Sequence, residues 1–281
     1  MGAETTRFAP SPTGLLHAGH AYSARFAARA AAGGRFLLRI EDIDRTRCRP
    51  DFEAAIHEDL AWLGLAWETP VRRQSDHFAT YRDALAELDR RGLVYRCFCT
   101  RADIAREVAN AASAPHVFAA GPEGPVYPGT CRHLPHAEQA RRAAEGVPYA
   151  LRLRMDEAVR GAGALTWTDT LRGAQRATPE IFGDVVLGRK DTPASYHLAC
   201  TLDDALQGVT LVTRGEDLFA ATHVHRLLQA LFGLATPRYT HHRLITDAAG
   251  RKFSKRDSAV TIRALRESGA RPDDIGPLAA D

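Results

Sequence analysis

Lysine is almost missing from this chain. Lys and Arg together number 37 among 281 residues, only Lys190, Lys252 and Lys255 are lysine, and the other 34 are arginine. Two of the three lysines stand within Arg251-Lys-Phe-Ser-Lys-Arg256. An ammonium is a compact charge on a flexible stem and a guanidinium is a flat fork, so the pair marks either positions where only the former serves or a chance cluster. No apolar run approaches the length of a membrane span and no basic-then-apolar segment opens the chain, which predicts a cytoplasmic protein with no membrane partner. The five cysteines, Cys48, Cys97, Cys99, Cys131 and Cys200, are odd in number and unevenly spread. That fits reduced thiols better than a disulfide framework. A net charge of +3 is too small to argue for nucleic acid by itself. What remains, 45% hydrophobic and 25% charged residues, is an ordinary globular composition for one large domain or a main domain with an insert.

The chain is organised around Arg7-Phe-Ala-Pro-Ser-Pro-Thr-Gly-Leu-Leu-His-Ala-Gly-His20. Thr5 to Ala9 reads as a short strand, Pro10 and Pro12 force an extended loop, and Gly14 and Gly19 allow close approach of backbone to a ligand. From Ala18 to Ala32 the Ala-rich chain places Tyr22, Phe26 and Ala30 on one helical stripe that stops at Gly33-Gly34. His17 and His20 therefore fall in a helix's first turn, where unpaired N–H groups and the dipole favour an anion. Two imidazoles there either grip phosphate or merely cap and pack.

This string resembles the first signature of the class I aminoacyl-tRNA synthetases, the HIGH motif, in the form with an upstream Arg-x-Ala-Pro-Ser-Pro-Thr-Gly that the glutamyl and glutaminyl branch carries. A second acidic stretch, Glu41-Asp-Ile-Asp-Arg45, follows the predicted strand Arg35–Ile40, at the end where open α/β sheets bind ligands. By itself it is a solvated turn or a site. The resemblance extends to it, and implies that Glu41 and Ser11 hold an α-amino group, that Arg7 contacts a carboxylate, and that Phe8, Ala9 and Pro10 complete a glutamate site.

Apolar spacing predicts scaffold helices over Asp51–Leu63 and Phe78–Leu88, a loop with Pro70 over Leu65–Gln74, and a strand over Leu93–Cys99 that continues a doubly wound parallel sheet. Thr100 to Pro148 breaks the rhythm and reads as an inserted subdomain, with helices near Arg101–Ala111 and Pro135–Glu145. Cys97, Cys99, Tyr127 and Cys131 either converge on a metal, with His116 or His133 competing for the fourth place, or pack as small hydrophobes. The resemblance implies a zinc held by Cys97, Cys99, Tyr127 and Cys131. Strands are then expected over Ala150–Arg154, Asp184–Lys190, Pro193–Leu202 and Val209–Arg214, and a helix over Thr222–Leu231. Tyr196 and Arg214 would face Arg7, and two guanidiniums with a phenol suit an acidic side chain. The His-rich Tyr239–Arg243 is given no catalytic role. Lys252-Phe-Ser-Lys-Arg256 resembles the second class I signature, KMSKS, with Phe for Met and Arg for the last Ser. It implies that Lys252 and Lys255, with His17, Gly19 and His20, bind ATP, and that His17, His20 and Lys255 stabilise the transition state. A short helix over Val260–Ser268 closes the reading.

Taken over the whole chain, the resemblance implies an α/β fold, a Rossmann-type parallel sheet with an inserted zinc-bearing subdomain and no anticodon-binding domain. Residues 1–99 and 149–245 would form the two catalytic halves, 100–148 the insert, and 246–281 the second-signature loop with a short helical segment. The shortened members of the branch imply a monomer that activates L-glutamate with ATP and Mg²⁺ and passes it to queuosine in the anticodon of tRNA(Asp). A fragment of an ordinary enzyme charging tRNA(Glu), a small-molecule adenylyltransferase and a catalytically silent tRNA-binding module are the rival readings. Amino-acid-dependent ATP–pyrophosphate exchange separates the adenylyltransferase from the synthetases.

Overall fold

The computed structural model describes residues 2–111, 120–189, 192–244 and 260–275. The first strand, β1 (Thr5–Phe8), enters the core with Thr6, Arg7 and Phe8 buried. Helix α1 (Ala18–Ala30) buries Ala21, Tyr22, Ala24 and Ala27 against it. The helix ends where Ala32 and Gly33 take positive φ, and a Cβ on Gly34 would lie 2.2 Å from Glu4 O, so only glycine lets the chain turn there into β2 (Arg35–Ile40). After α2 (Pro50–Trp62), β3 (Glu68–Arg73) completes a parallel sheet in the order β1-β2-β3.

That third strand corrects the expected loop over Leu65–Gln74. Pro70 lacks an N–H, but it falls on an edge strand at an irregularity between the Leu37–Glu68 and Arg39–Arg72 pairs, where no ladder donor is needed. Helix α3 (Phe78–Arg90) follows as expected and leads to β4 (Val94–Cys97). Here a second expectation fails. The Leu93–Cys99 run does not extend the parallel sheet but joins an antiparallel one with β7 (Ala150–Leu153) and β10 (Val186–Arg189). Strand pairing is set by distant segments, and a short apolar run carries no mark of its partner.

Between β4 and β7 lie α4 (Arg101–Ala111), the two-residue strands β5 (Ala120–Gly121) and β6 (Gly124–Pro125), and α5 (His136–Ala144). Tyr95, Cys97, Tyr127 and Cys131 make a small core there, separate from the main ones. Beyond β7 come α6 (Met155–Ala162), the hairpin of β8 (Thr166–Asp169) and β9 (Gly173–Arg176), and then β10.

The expected strand over Pro193–Leu202 is a helix, α7 (Tyr196–Leu206). Its start is chemically marked, because Pro193 precedes Ser195, whose Oγ accepts the Leu198 N–H as an N-cap. Apolar Leu198, Ala199 and Leu202 fit either period over so short a run, and the buried Asp203 and Asp204 decide for the helix by needing partners on one face. Strand β11 (Leu211–Gly215), α8 (Ala221–Leu231) and β12 (Arg238–His242) follow, and β11-β12-β8-β9 form the third sheet, parallel except for the β8–β9 hairpin. It abuts β1, where the Thr210 N–H donates to Thr5 O at 2.9 Å. From β1 the chain winds one way to β2 and from β11 the other way to β12, so a crevice opens outside the carboxyl ends of these strands. Helix α9 (Ile262–Glu267) packs its Ile262 into the core around α1 and α2. Among the described residues no helix is long and apolar enough to cross a membrane.

Candidate active site

A cavity of about 840 Å³ opens from that crevice. Ser11, Glu41, Gln74 and Tyr196 line it, as do Glu123 and Tyr127. Three of the residues expected to hold glutamate therefore meet around one space. Glu41 is buried with its Oε1 accepting from Arg39 Nη2 at 3.2 Å. Burial raises its carboxyl, with Arg39 and then Arg7 opposing, and a carboxylate on the cavity wall suits an ammonium. Pro10 and β2 are tied together by the Glu41 N–H donating to Pro10 O at 3.0 Å. Phe8, by contrast, is packed in the apolar core with Leu16 and Ala24 and is absent from the cavity lining.

Behind Tyr196 lie the guanidiniums. Arg214 Nη1 donates to the Tyr196 hydroxyl at 3.3 Å, and burial raises that phenol, with Arg214 and Arg7 among the charges acting on it. Arg7 is buried and spends its Nε–H on Asp204 Oδ1 at 2.9 Å and an Nη1–H on Thr213 O at 3.0 Å. Arg39 reaches the same Asp204 oxygen at 2.8 Å. One carboxylate thus anchors two buried guanidiniums. Burial would raise Asp204, but Arg7 and then Arg39 overcome this and hold it down to about 2. Asp204 went unnoticed in the sequence, although a helical reading of Tyr196–Leu206 would have put Tyr196, Cys200 and Asp204 on one face at four-residue spacing.

His17 is the N-cap of α1, and its Nδ1 accepts the Gly19 N–H at 3.2 Å while His20 Nδ1 accepts the His17 N–H at 3.2 Å. The two ring centroids lie 3.8 Å apart with the ring planes tilted by 41°. An acceptor Nδ1 leaves the ring proton on Nε2, so each imidazole is locked in the tautomer that presents a donor away from the helix end. Capping and anion binding are thereby compatible. Lys252 and Lys255 lie outside the described residues, but the segments on either side are seated on α1. His242 contacts Tyr22 and Phe26 with centroids 5.0 and 5.1 Å apart and bonds Ser23 Oγ at 3.1 Å. The Ile262 N–H donates to Leu16 O at 2.8 Å and Thr261 bridges to His17.

The sulfurs of Cys97, Cys99 and Cys131 all lie within 4.8 Å of one another. The Tyr127 hydroxyl is 3.3 Å from Cys97 Sγ and 3.6 Å from Cys99 Sγ, and Cys99 and Cys131 are 3.5 Å apart. Tetrahedral zinc with bonds near 2.3 Å would put its sulfurs about 3.8 Å apart, so the donor set fits a single metal ion. Its hydrogen bond with Cys131 lowers Cys97, with burial opposing and Tyr127 and Arg152 assisting, which favours one thiolate in the cluster. His133 is not among the converging groups.

The chain matches the model for class I tRNA synthetases (E and Q), catalytic domain, over residues 4–275, and belongs to that family. It is 52% identical over 97% of its length to the glutamyl-Q tRNA(Asp) synthetase of Rhodobacter capsulatus, 98% of which it covers. It is 41% identical to the enzyme of that name from Symbiobacterium thermophilum, over 96% of this chain and 83% of that one. Among solved structures it is similar to a glutamate tRNA ligase from Elizabethkingia meningosepticum in complex with its amino acid, with a TM-score of 0.76 and 30% identity over 91% of this chain. It spans about half of that ligase, 52%.

Proposed function

We propose that the chain activates L-glutamate with ATP and Mg²⁺ and transfers it to queuosine at the first anticodon position of tRNA(Asp). The observation that carries the amino-acid half is the convergence of opposite charges around one cavity: the Glu41 carboxylate beside Tyr196, which is backed by Arg214. An α-amino group answers the first and a γ-carboxylate the second. Ser11 supports the amine and Arg7 adds its charge beside the carboxylate. The Phe8–Pro10 segment, itself outside the cavity lining, carries the chain from β1 to Ser11. With its two ends held, the α-carboxylate attacks the α-phosphorus of ATP, and pyrophosphate leaves toward the start of α1. There the Nε2–H groups of His17 and His20, the helix N–H groups and Gly19, whose lack of a side chain admits the nucleotide, receive phosphate charge. Lys252 and Lys255 of the second signature supply the mobile cations, and Mg²⁺ accompanies the phosphates. The catalytic halves are 1–99 and 149–245, the insert 100–148 and the second-signature segment 246–281. Cys97 and Cys99 at the entry to the insert and Tyr127 and Cys131 within it hold one structural zinc.

The enzyme so described works as a cytoplasmic monomer. The name borne by relatives over nearly their whole length favours queuosine of tRNA(Asp) over the 3′ end of tRNA(Glu) as acceptor. Activation needs no tRNA in this reading. Glutamine is a poor substrate because its amide leaves the guanidinium charge uncompensated. Lys255→Ala lowers glutamate-dependent ATP–pyrophosphate exchange by about 10²–10³, as expected for loss of a contact to transition-state charge. An unaffected variant removes the second signature from the mechanism. For the acceptor, labelled glutamate is offered to tRNA(Asp) with and without queuosine and to tRNA(Glu). Transfer confined to the queuosine-bearing tRNA, and weakened by salt because many contacts are to phosphate, is the expected result. Equal transfer to tRNA(Asp) carrying plain guanosine, or strong charging of tRNA(Glu), transfers the assignment to an ordinary glutamyl-tRNA synthetase.

A further inference from the structure

Arg214 carries five N–H donors and no acceptor, and this asymmetry dictates the protons of every group around it. Its Nη1 lies 3.1 Å from His225 Nδ1, which must therefore offer a lone pair. The His225 proton then sits on Nε2 and is donated to His197 Nδ1 at 3.2 Å. That leaves the His197 proton on Nε2, 3.3 Å from the Glu123 carboxylate at the turn between β5 and β6. On the other side Arg214 Nε donates to His241 Nε2 at 3.1 Å, so the His241 proton is on Nδ1 and meets Asp169 Oδ2 at 2.6 Å. Thr222 Oγ1 accepts from Arg214 Nη2. Asp169 is itself fixed by the N–H groups of Leu171 at 2.9 Å and Arg172 at 3.0 Å.

The result is a single file of hydrogen bonds, all pointing away from Arg214 and ending on a carboxylate at each end. Its imidazoles are buried, and His197, His225 and His241 are 6%, 2% and 2% exposed, in a region where leucine would pack at less cost in desolvation. Burial, reinforced by Arg214, lowers His225 well below the ordinary histidine value and His241 to about 4, in keeping with neutral rings. Tyr196 accepts from Arg214, so its own proton is directed elsewhere, and Tyr196 lines the cavity. Both groups behind the acidic side chain are thus presented as donors, which suits two carboxylate oxygens and opposes an amide NH₂.

We propose that His225, His197 and Glu123, together with His241 and Asp169, are positioning residues that hold Arg214 in place behind Tyr196 so that the phenol is kept as a donor, and that the Glu123 end makes amino-acid selection depend on the seating of the 120–125 hairpin. The inference rests on the reading of Tyr196 and Arg214 as the γ-carboxylate site.

The test is ATP–pyrophosphate exchange by the full chain with glutamate and with glutamine, without tRNA. For His225→Leu the glutamate KM rises, and the glutamate-over-glutamine ratio of kcat/KM falls, each by about tenfold or more, with kcat little changed. His225→Asn, whose Oδ1 can accept from Arg214 in place of Nδ1, recovers most of the ratio. Glu123→Ala moves KM and the ratio in the same direction by a smaller factor, and Glu123→Gln, which still accepts from His197, does not. The Glu123 side chain is 57% exposed, so this pair gives an answer even where a buried histidine variant fails to fold. An unchanged ratio in both His225→Leu and Glu123→Ala, or a fall in kcat alone, overturns the proposal, as does Asn failing to rescue. Arg214→Leu separates the two layers. If it also leaves the ratio unchanged, the carboxylate-site reading itself is wrong. If it collapses the ratio while His225→Leu does not, only the positioning role is lost.

Discussion

Asp204→Leu is expected to destabilise the fold by about 3–5 kcal/mol, because it removes the carboxylate that two buried guanidiniums share. Arg7 and Arg39 are 5% and 0% exposed, and both donate to Asp204 Oδ1, at 2.9 and 2.8 Å. Neither can lose its charge, since burial would lower its proton affinity but Asp204 raises it further. The effect depends on pH in a defined sense. The Asp204 carboxyl is held at about 2, below its ordinary 3.8, so the stability it contributes is fully present above about pH 4. It is lost as pH falls from there through 2. Urea unfolding midpoints of wild type and Asp204→Leu should differ most at neutral pH and converge as the solution is acidified below 4. Equal midpoints at pH 7 would show that the two guanidiniums find other partners. Glutamate activation should fall as well, because Arg7 and Glu41 are braced through the same cluster.

Removal of the metal proposed for the insert has the second large effect. Structural zinc in small domains contributes apparent binding free energies of roughly 10–16 kcal/mol, and among the described residues the site rests on the small core of Tyr95, Cys97, Tyr127 and Cys131. Metal analysis of unchelated protein is expected to find one zinc per chain. Cys97→Ser with Cys99→Ser should abolish it, lower the thermal unfolding temperature and open the region around α4 and α5. Since four protein donors leave no position for water, Cys97→Ser with Cys99→Ser should reduce glutamate activation only as far as it loosens the insert. Zinc well below one per chain, or an unfolding temperature that the double substitution does not move, would return these thiols to a packing role. Tyr127 is the most telling of the four. Its hydroxyl also accepts the Cys131 N–H at 2.9 Å and its ring carries the Arg152 guanidinium at 3.8 Å, so Tyr127→Phe should weaken the metal without unseating the ring.

Local chemistry was legible in the sequence wherever neighbours along the chain do the deciding. Pro10, Pro12 and Gly14 announced a loop between a strand and an Ala-rich helix, and that is where β1 ends and α1 begins. The carboxylates after Arg35–Ile40 fell at a strand's carboxyl end, and the thiols of Cys97, Cys99 and Cys131 could be grouped from spacing and resemblance before their convergence was seen. Arrangement across the fold was not legible. The runs Leu93–Cys99 and Pro193–Leu202 are apolar and short, so neither period nor partner is written in them, and one became an antiparallel strand and the other a helix. Asp204, His225 and His241 carry no local signature because each acquires its role from a guanidinium on another element: Arg7 and Arg39 on β1 and β2, Arg214 on β11. By itself the sequence, through its motifs and their resemblance, named candidates for binding glutamate, ATP and a metal. Only the tertiary structure decided how those residues are held, since buried charges must find their counter-charges, and the proton of each histidine in the file is placed by contacts the chain makes only when folded.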